Sequence, residues 1–137
     1  MMTVFNIGVK GIIVQSGKVL LVKRMTNDGF FWEAPGGRID DNESLDQTLL
    51  RELKEELPGI VNIRIGELLH AARIPGMPLG DRGLTLIWYA VDAEFPDGVR
   101  VSEEHESYKW HTITEVERLG YKDLTEAIKR HSAMLET

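Results

Sequence analysis

Three glutamates, Glu52, Glu55 and Glu56, stand at i, i+3 and i+4 of a segment whose leucines recur every four residues. At about 100° per residue of an α-helix, that spacing puts the three carboxylates, with Thr48, on one flank beside the leucine stripe. Two like charges about 6 Å apart repel by about 2–3 kcal/mol at an effective dielectric of about 20. Lys54 points elsewhere and Arg51 lies on the far edge of the flank, so the cluster lacks a counter-cation of its own. Hard oxygen ligands on one face suit Mg²⁺ or Mn²⁺, ions that keep part of their water and bridge to substrate phosphates. A solvated acidic helix face has the same composition, and the two readings part only at the residues upstream.

Those residues are Pro35-Gly36-Gly37, which end the short aromatic segment Phe30 to Ala34. They are expected to leave regular structure and to open a loop whose backbone can come close to a ligand. Glu43 adds a carboxylate before the helix. Ser44 and Gln47 make a capping-box pattern, and Leu45, Leu49, Leu53 and Leu57, with Leu50 beside them, make the buried stripe. Pro58 disfavours helical geometry in the residue before it, so the helix is expected to end near Leu57.

The rest of the chain supplies strands to hold this helix. Phe5 to Ile13 alternates with the period of a strand, Gln15 to Lys18 reads as a turn, and Val19 to Val22 returns as its hairpin partner. Val61, Ile63, Ile65, Glu67 and Leu69 alternate again. Leu84 to Phe95 is apolar almost throughout, as in a central strand covered on both faces. Residues 75–83 form a loop and Pro96-Asp97-Gly98 a turn. Tyr108 to Thr112 predicts a last strand, and Thr114 with Glu117 the cap of a short helix stopping at Gly120. Leu124, Ala127, Ile128, His131 and Leu135 give one apolar face to a C-terminal helix. Elements mixed in this order predict an α/β fold of one domain over residues 1–137, a mixed sheet between helices.

The acidic segment and its flanks resemble the signature of the Nudix hydrolases. That box runs glycine, five residues, glutamate, seven residues, Arg-Glu, an aliphatic residue, any residue, Glu-Glu, any residue, glycine and an aliphatic residue. Gly37, Glu43, Arg51-Glu52, Leu53 and Glu55-Glu56 match at every spacing. Val19 to Arg24 and Trp32 to Gly37 are similar to the strands that precede the box, which spans about residues 37–60. Pro58 replaces the box glycine, so either Gly59 takes its role one residue late or the helix end is rebuilt.

The resemblance implies an α/β/α sandwich and cleavage of a diphosphate bond in a nucleoside diphosphate derivative or triphosphate by water. It implies that Glu52, Glu55 and Glu56 hold Mg²⁺ or Mn²⁺ with a backbone carbonyl of Gly36 or Gly37. Glu52 is alternatively the base, and Arg51 and Glu43 orient the cluster or form a plain ion pair. In some members a glutamate from the region of Glu103-Glu104-His105-Glu106 assists, which here points to Glu103 or Glu106. Their loop would then fold over the glutamate helix when substrate binds. Arg24 is a candidate for substrate phosphates and Trp32 for stacking on a base, although core packing accounts for Trp32 equally well.

Composition narrows the alternatives. A net charge of −6 and a pI near 5.2 disfavour a long nucleic-acid partner, and RNA-end processing with it. No cysteine is present, which excludes thiolate metal sites and the cysteine-dependent isopentenyl diphosphate isomerase of this fold. No apolar run is long enough to span a bilayer and no export signal opens the chain, so the expectation is a cytoplasmic protein. A non-catalytic nucleotide-sensing or interaction domain on the same fold is the competing function. Dimers are frequent among similar proteins, so a homodimer is a possible assembly.

Overall fold

Strands β1 (Phe5–Gln15) and β2 (Lys18–Thr26) form a hairpin in a computed structural model that describes residues 2–40, 42–75 and 82–135. Their two-residue turn, Ser16-Gly17, has φ of 52° and 73°, the left-handed pair whose twist matches that of the flanking strands. Pairing between them is brief, Val14 with Val19 and Gln15 with Lys18. The strands then diverge to other partners. β1 runs parallel to β6 (Gly83–Glu94), from Phe5 opposite Gly83 to Ile13 opposite Val91. β2 pairs antiparallel with β3 (Gly29–Glu33) and with β7 (Ser107–His111).

β4 (Gly36–Arg38) lies antiparallel on β1, and β5 (Val61–Arg73) lies antiparallel on β6 as an edge strand interrupted by register shifts. Among the described residues this makes one mixed sheet of seven strands with the path β3-β2-β1-β6-β5. Helix α1 (Leu45–Glu56) covers one face, where Leu49, Leu53 and Leu57 pack on Val9, Ile13, Leu20, Val22 and Val91. Helices α2 (Ile113–Leu119), α3 (Lys122–Lys129) and α4 (Ser132–Leu135) belong to the other face. There Val116, Leu124, Ala127 and Ile128 pack with Ile12, Val19, Leu21 and Trp88. Each fully buried leucine of α1 stabilises this α/β/α sandwich by about 1.5–3 kcal/mol. Among the described residues, no helix is long and apolar enough to cross a membrane.

Three local expectations change, and one open alternative is settled. Pro35 leaves regular structure as expected, but Gly36 and Gly37 do not, because they begin β4. A Cβ on Gly36 would sit 2.0 Å from the Val9 carbonyl oxygen, at φ +145°, so only glycine lets this strand press against β1. The α2 cap is Thr112 with Glu115, two residues earlier than the Thr114–Glu117 pair. Both pairs fit the pattern, and the earlier one turns Val116 into the core. The C-terminal stripe is broken between α3 and α4, where buried His131 accepts at Nδ1 from the Ala133 amide. At the end of α1, Leu57 caps the helix and Gly59 takes φ +92° while the Ile60 amide donates to the Leu57 carbonyl. Proline second and left-handed glycine third is the pattern of a type II turn, so Gly59 does the work one residue late. The loop expected over 75–83 lies mostly outside the described residues.

Candidate active site

The two glycines of β4 bring backbone flush against α1. The Gly36 amide donates to Glu56 Oε1 at 3.0 Å. A Cβ on Gly37 would come within 2.3–2.6 Å of the Glu52 carboxylate, so that position must be bare. Glu56 is 2% exposed. Burial pushes its carboxyl up to about 7, against the opposing pull of Lys10 and the Gly36 amide.

The three box glutamates do not converge on one patch as the helical spacing suggested. Glu52 and Glu56 line a cleft of about 1230 Å³, whereas the Glu55 side chain is 59% exposed. The Arg51 guanidinium grips Glu43 with two bonds, 2.7 Å from Nε and 3.0 Å from Nη2, and donates to Glu52 at 2.9 Å with Glu55 at 3.5 Å. One nitrogen, Nη1, lies between Glu52 and Glu55, so Arg51 supplies these two carboxylates with the counter-cation that the helical spacing had placed on the far edge of the flank. Arg51 also reaches the Arg38 carbonyl, tying the loop before α1 to the helix. Hydrogen bonds from Arg51 hold the Glu43 carboxyl down to about 2.

A second, partly buried cluster, which the sequence did not disclose, faces the same cleft. Glu33 at the end of β3 accepts from Lys10 Nζ at 3.0 Å and from Arg24 Nε at 2.6 Å. His105 Nε2 lies 2.9 Å from the same carboxylate. Burial alone would raise the Glu33 carboxyl, but Lys10, the bond from His105 and Arg24 outweigh it and hold it well below the usual carboxylate range. A carboxylate only accepts, so His105 Nε2 carries the proton and donates. His105 Nδ1 is buried with no partner among the described residues, a cost of about 1–3 kcal/mol. The only hint in the sequence is a lysine in the middle of an apolar strand.

The acidic run is already docked. The Ser102 amide donates to the Glu56 carbonyl and the Glu106 amide to the Lys23 carbonyl, so the loop rests on α1 and β2. Glu104 lines the cleft, while Glu103 and Glu106 are exposed and outside its lining. His105 turns inward, and of the three glutamates around it Glu104 is the one that reaches the cleft.

The cleft also has apolar lining, with Leu84, Leu86, Trp88, Tyr121 and Leu124 beside Lys122 and Asp123. His70 stacks on Trp88 with centroids 5.7 Å apart and meets Asp123 at 2.9 Å. Trp32 lines the cleft and also packs on the core, edge-on to His111 at 4.8 Å. Its two expected roles are therefore compatible.

Among the described residues, no group of three acidic or histidine side chains stands ready to hold a metal. The donor set still fits a divalent cation. Glu52 and Glu56 offer hard oxygens beside bare glycine backbone, and the raised Glu56 carboxyl is one that an adjacent cation would ionise.

An α/β/α sandwich that sets a glycine pair against a glutamate-bearing helix defines a class, and comparison with known proteins gives the family. A family model described as the NUDIX domain matches residues 4–133, and the chain belongs to that family. It is 34% identical over 117 residues to an octanoyltransferase of Myxococcus xanthus, covering 85% of this chain and 32% of that protein. The chain therefore spans about a third of that relative's length. It is 30% identical over 106 residues to the CTP pyrophosphohydrolase of Escherichia coli (strain K12), covering 74% and 72% of the two chains. The solution structure of the E. coli ORF135 protein superposes with a TM-score of 0.71 at 28% identity, covering 98% of this chain and 91% of that one.

Proposed function

We propose that this chain is a divalent-metal-dependent pyrophosphohydrolase that cleaves a diphosphate bond in a nucleoside triphosphate or nucleoside diphosphate derivative by attack of water on phosphorus. The observation that carries the reading is one cleft in which Glu52 and Glu56 meet glycine backbone, Lys10 and Arg24 add positive charge, and apolar lining remains for a nucleoside. The similarity to a CTP pyrophosphohydrolase supports a triphosphate. Mg²⁺ or Mn²⁺ held by Glu52, Glu56 and a Gly36 or Gly37 carbonyl, with Glu55 recruited from solvent, would neutralise phosphate charge and acidify the attacking water.

The chain's own residues do the rest. Arg24 and Lys10, fixed by Glu33, face the phosphates, and Trp32 with the apolar lining of the cleft receives the base. Arg51 and Glu43 clamp the entry to α1 so that Glu52 and Glu56 keep their positions relative to β4. Glu104, at the cleft, accepts the proton of the attacking water, with Glu52 the alternative acceptor. Proton acceptance by a positioned carboxylate contributes about 10²–10⁴-fold.

The test is a phosphate-release screen over nucleoside triphosphates, nucleotide sugars, ADP-ribose and dinucleoside polyphosphates, with Mg²⁺ or Mn²⁺ and with EDTA. Hydrolysis of one class with metal and none in EDTA is expected. Full activity in EDTA sinks the metal assignment, and no hydrolysis of any substrate favours a nucleotide-sensing domain.

A further inference from the structure

One buried side chain is explained neither by packing nor by the chemistry above. The His105 side chain is wholly inaccessible in a loop whose other members, Glu103, Glu104 and Glu106, are exposed. A leucine would fill its place without leaving a bare ring nitrogen, so its bond to Glu33 is the feature that calls for histidine. Glu33 is in turn immobilised by Lys10 and Arg24. The ends of the loop are pinned by main-chain bonds from Ser102 to Glu56 and from Glu106 to Lys23. The apex is pinned to the cluster by His105.

We propose, building on the hydrolase reading above, that His105 is a positioning residue that bolts this loop to Glu33 and so holds the neighbouring Glu104 carboxylate at the cleft. The bond leads into a rigid ion-paired frame on β1, β2 and β3, so the apex inherits the position of the sheet. Arg24 Nη2 lies 3.4 Å from the same imidazole nitrogen, so the loop apex and a phosphate-facing cation share one anchor. A histidine that only fills space would affect stability. One that acts through Glu104 affects turnover, and only while Glu104 is present.

The test compares His105→Leu, His105→Gln, Glu104→Gln and the double variant His105→Leu/Glu104→Gln, on the nucleotide that the screen yields, with Mg²⁺. His105→Leu is expected to lose about tenfold in kcat with KM changed less than about twofold, the signature of a displaced catalytic group. His105→Gln keeps an N–H that reaches Glu33 and should recover most of the rate. The double variant should be no slower than Glu104→Gln alone, because both changes remove one interaction. Wild-type kcat in His105→Leu, an equal loss in His105→Gln, or losses that multiply in the double variant overturn the proposal. Amide exchange over residues 103–106 needs no substrate. Protection lost in His105→Leu and kept in His105→Gln supports the bolt even if no nucleotide is hydrolysed, a result that defeats only the hydrolase reading. Equal protection in all three proteins overturns the bolt whatever the activity.

Discussion

Glu56 is buried and Glu33 half-buried at the same cleft, and their surroundings are opposite. Glu33 sits among Lys10, Arg24 and His105 and is held firmly ionised. Glu56 accepts one backbone amide, and burial, with Glu33 as a lesser like charge, pushes its carboxyl up to about 7 against the more distant pull of Lys10. A carboxylate whose partners are all supplied by the chain is a structural node. One left with a single neutral donor has coordination to spare for a ligand. The contrast separates architecture from chemistry without reference to motif.

The largest effect expected from this contrast is on stability at Glu33. Glu33→Gln leaves Lys10 and Arg24 without their shared counter-charge, and breaking such a cluster should cost about 3–5 kcal/mol. Urea unfolding at pH 7 measures this, and a loss below about 1 kcal/mol would show that the node is dispensable.

Next is the pH dependence of the metal-free protein. Between about 4.5, the ordinary value, and about 7, native Glu56 holds a proton that the unfolded chain has released. Stability therefore falls as pH rises through that window, by about 3 kcal/mol in full, and the penalty is absent below it. Glu33 has the opposite sign, contributing stability above the ordinary carboxylate range that is lost as pH falls through and below it. Urea midpoints in EDTA from pH 5 to 8 should fall in the wild type relative to Glu56→Gln, which keeps only the opposite trend from His111 and His131, whose burial lowers their pKa values and adds stability as pH rises. Parallel curves would place the titration elsewhere.

Third, Glu56→Gln should remain folded and lose at least about a hundredfold in kcat, about 2.7 kcal/mol of barrier. A fully active variant would make Glu56 a second structural node. The smallest effect is expected where neither kind of environment exists. Glu103→Ala and Glu106→Ala should leave stability within about 0.5 kcal/mol and kcat unchanged, because both side chains are exposed outside the cleft. A kcat loss in either would return the proton acceptor to that residue.

What the sequence disclosed follows the same division. Helix α1 was legible because its signals are local, with Ser44 and Gln47 forming the capping box and Leu49, Leu53 and Leu57 the buried stripe. Arg51 and Glu43 lie within one element and its entry, and their pairing could be anticipated. The Glu33 node could not, because Lys10, Arg24 and His105 reach it from three separate segments. No periodicity records such a meeting. Glu104 was passed over for its neighbours because the inward turn of His105 is set by that distant node. The strand at Gly36-Gly37 was missed because glycine signals turns, whereas here its lack of a side chain permits close pairing with β1.

The parallel pairing of β1 with β6 also governs how the molecule comes together in time. Phe5 cannot meet Gly83 until the chain between them has been brought round, and that closure must be met in entropy before the ladder rewards it. Gly36, Gly37, Glu52 and Glu56 all lie inside the closing segment, and Leu84, Leu86 and Trp88 of the cleft arrive only with β6. Folding should accordingly be slow for a chain of this length, in the range of milliseconds to seconds typical of long-range pairings. Tryptophan fluorescence and nucleotide binding should recover in the same kinetic phase, since the cleft takes its lining from both the closing segment and β6.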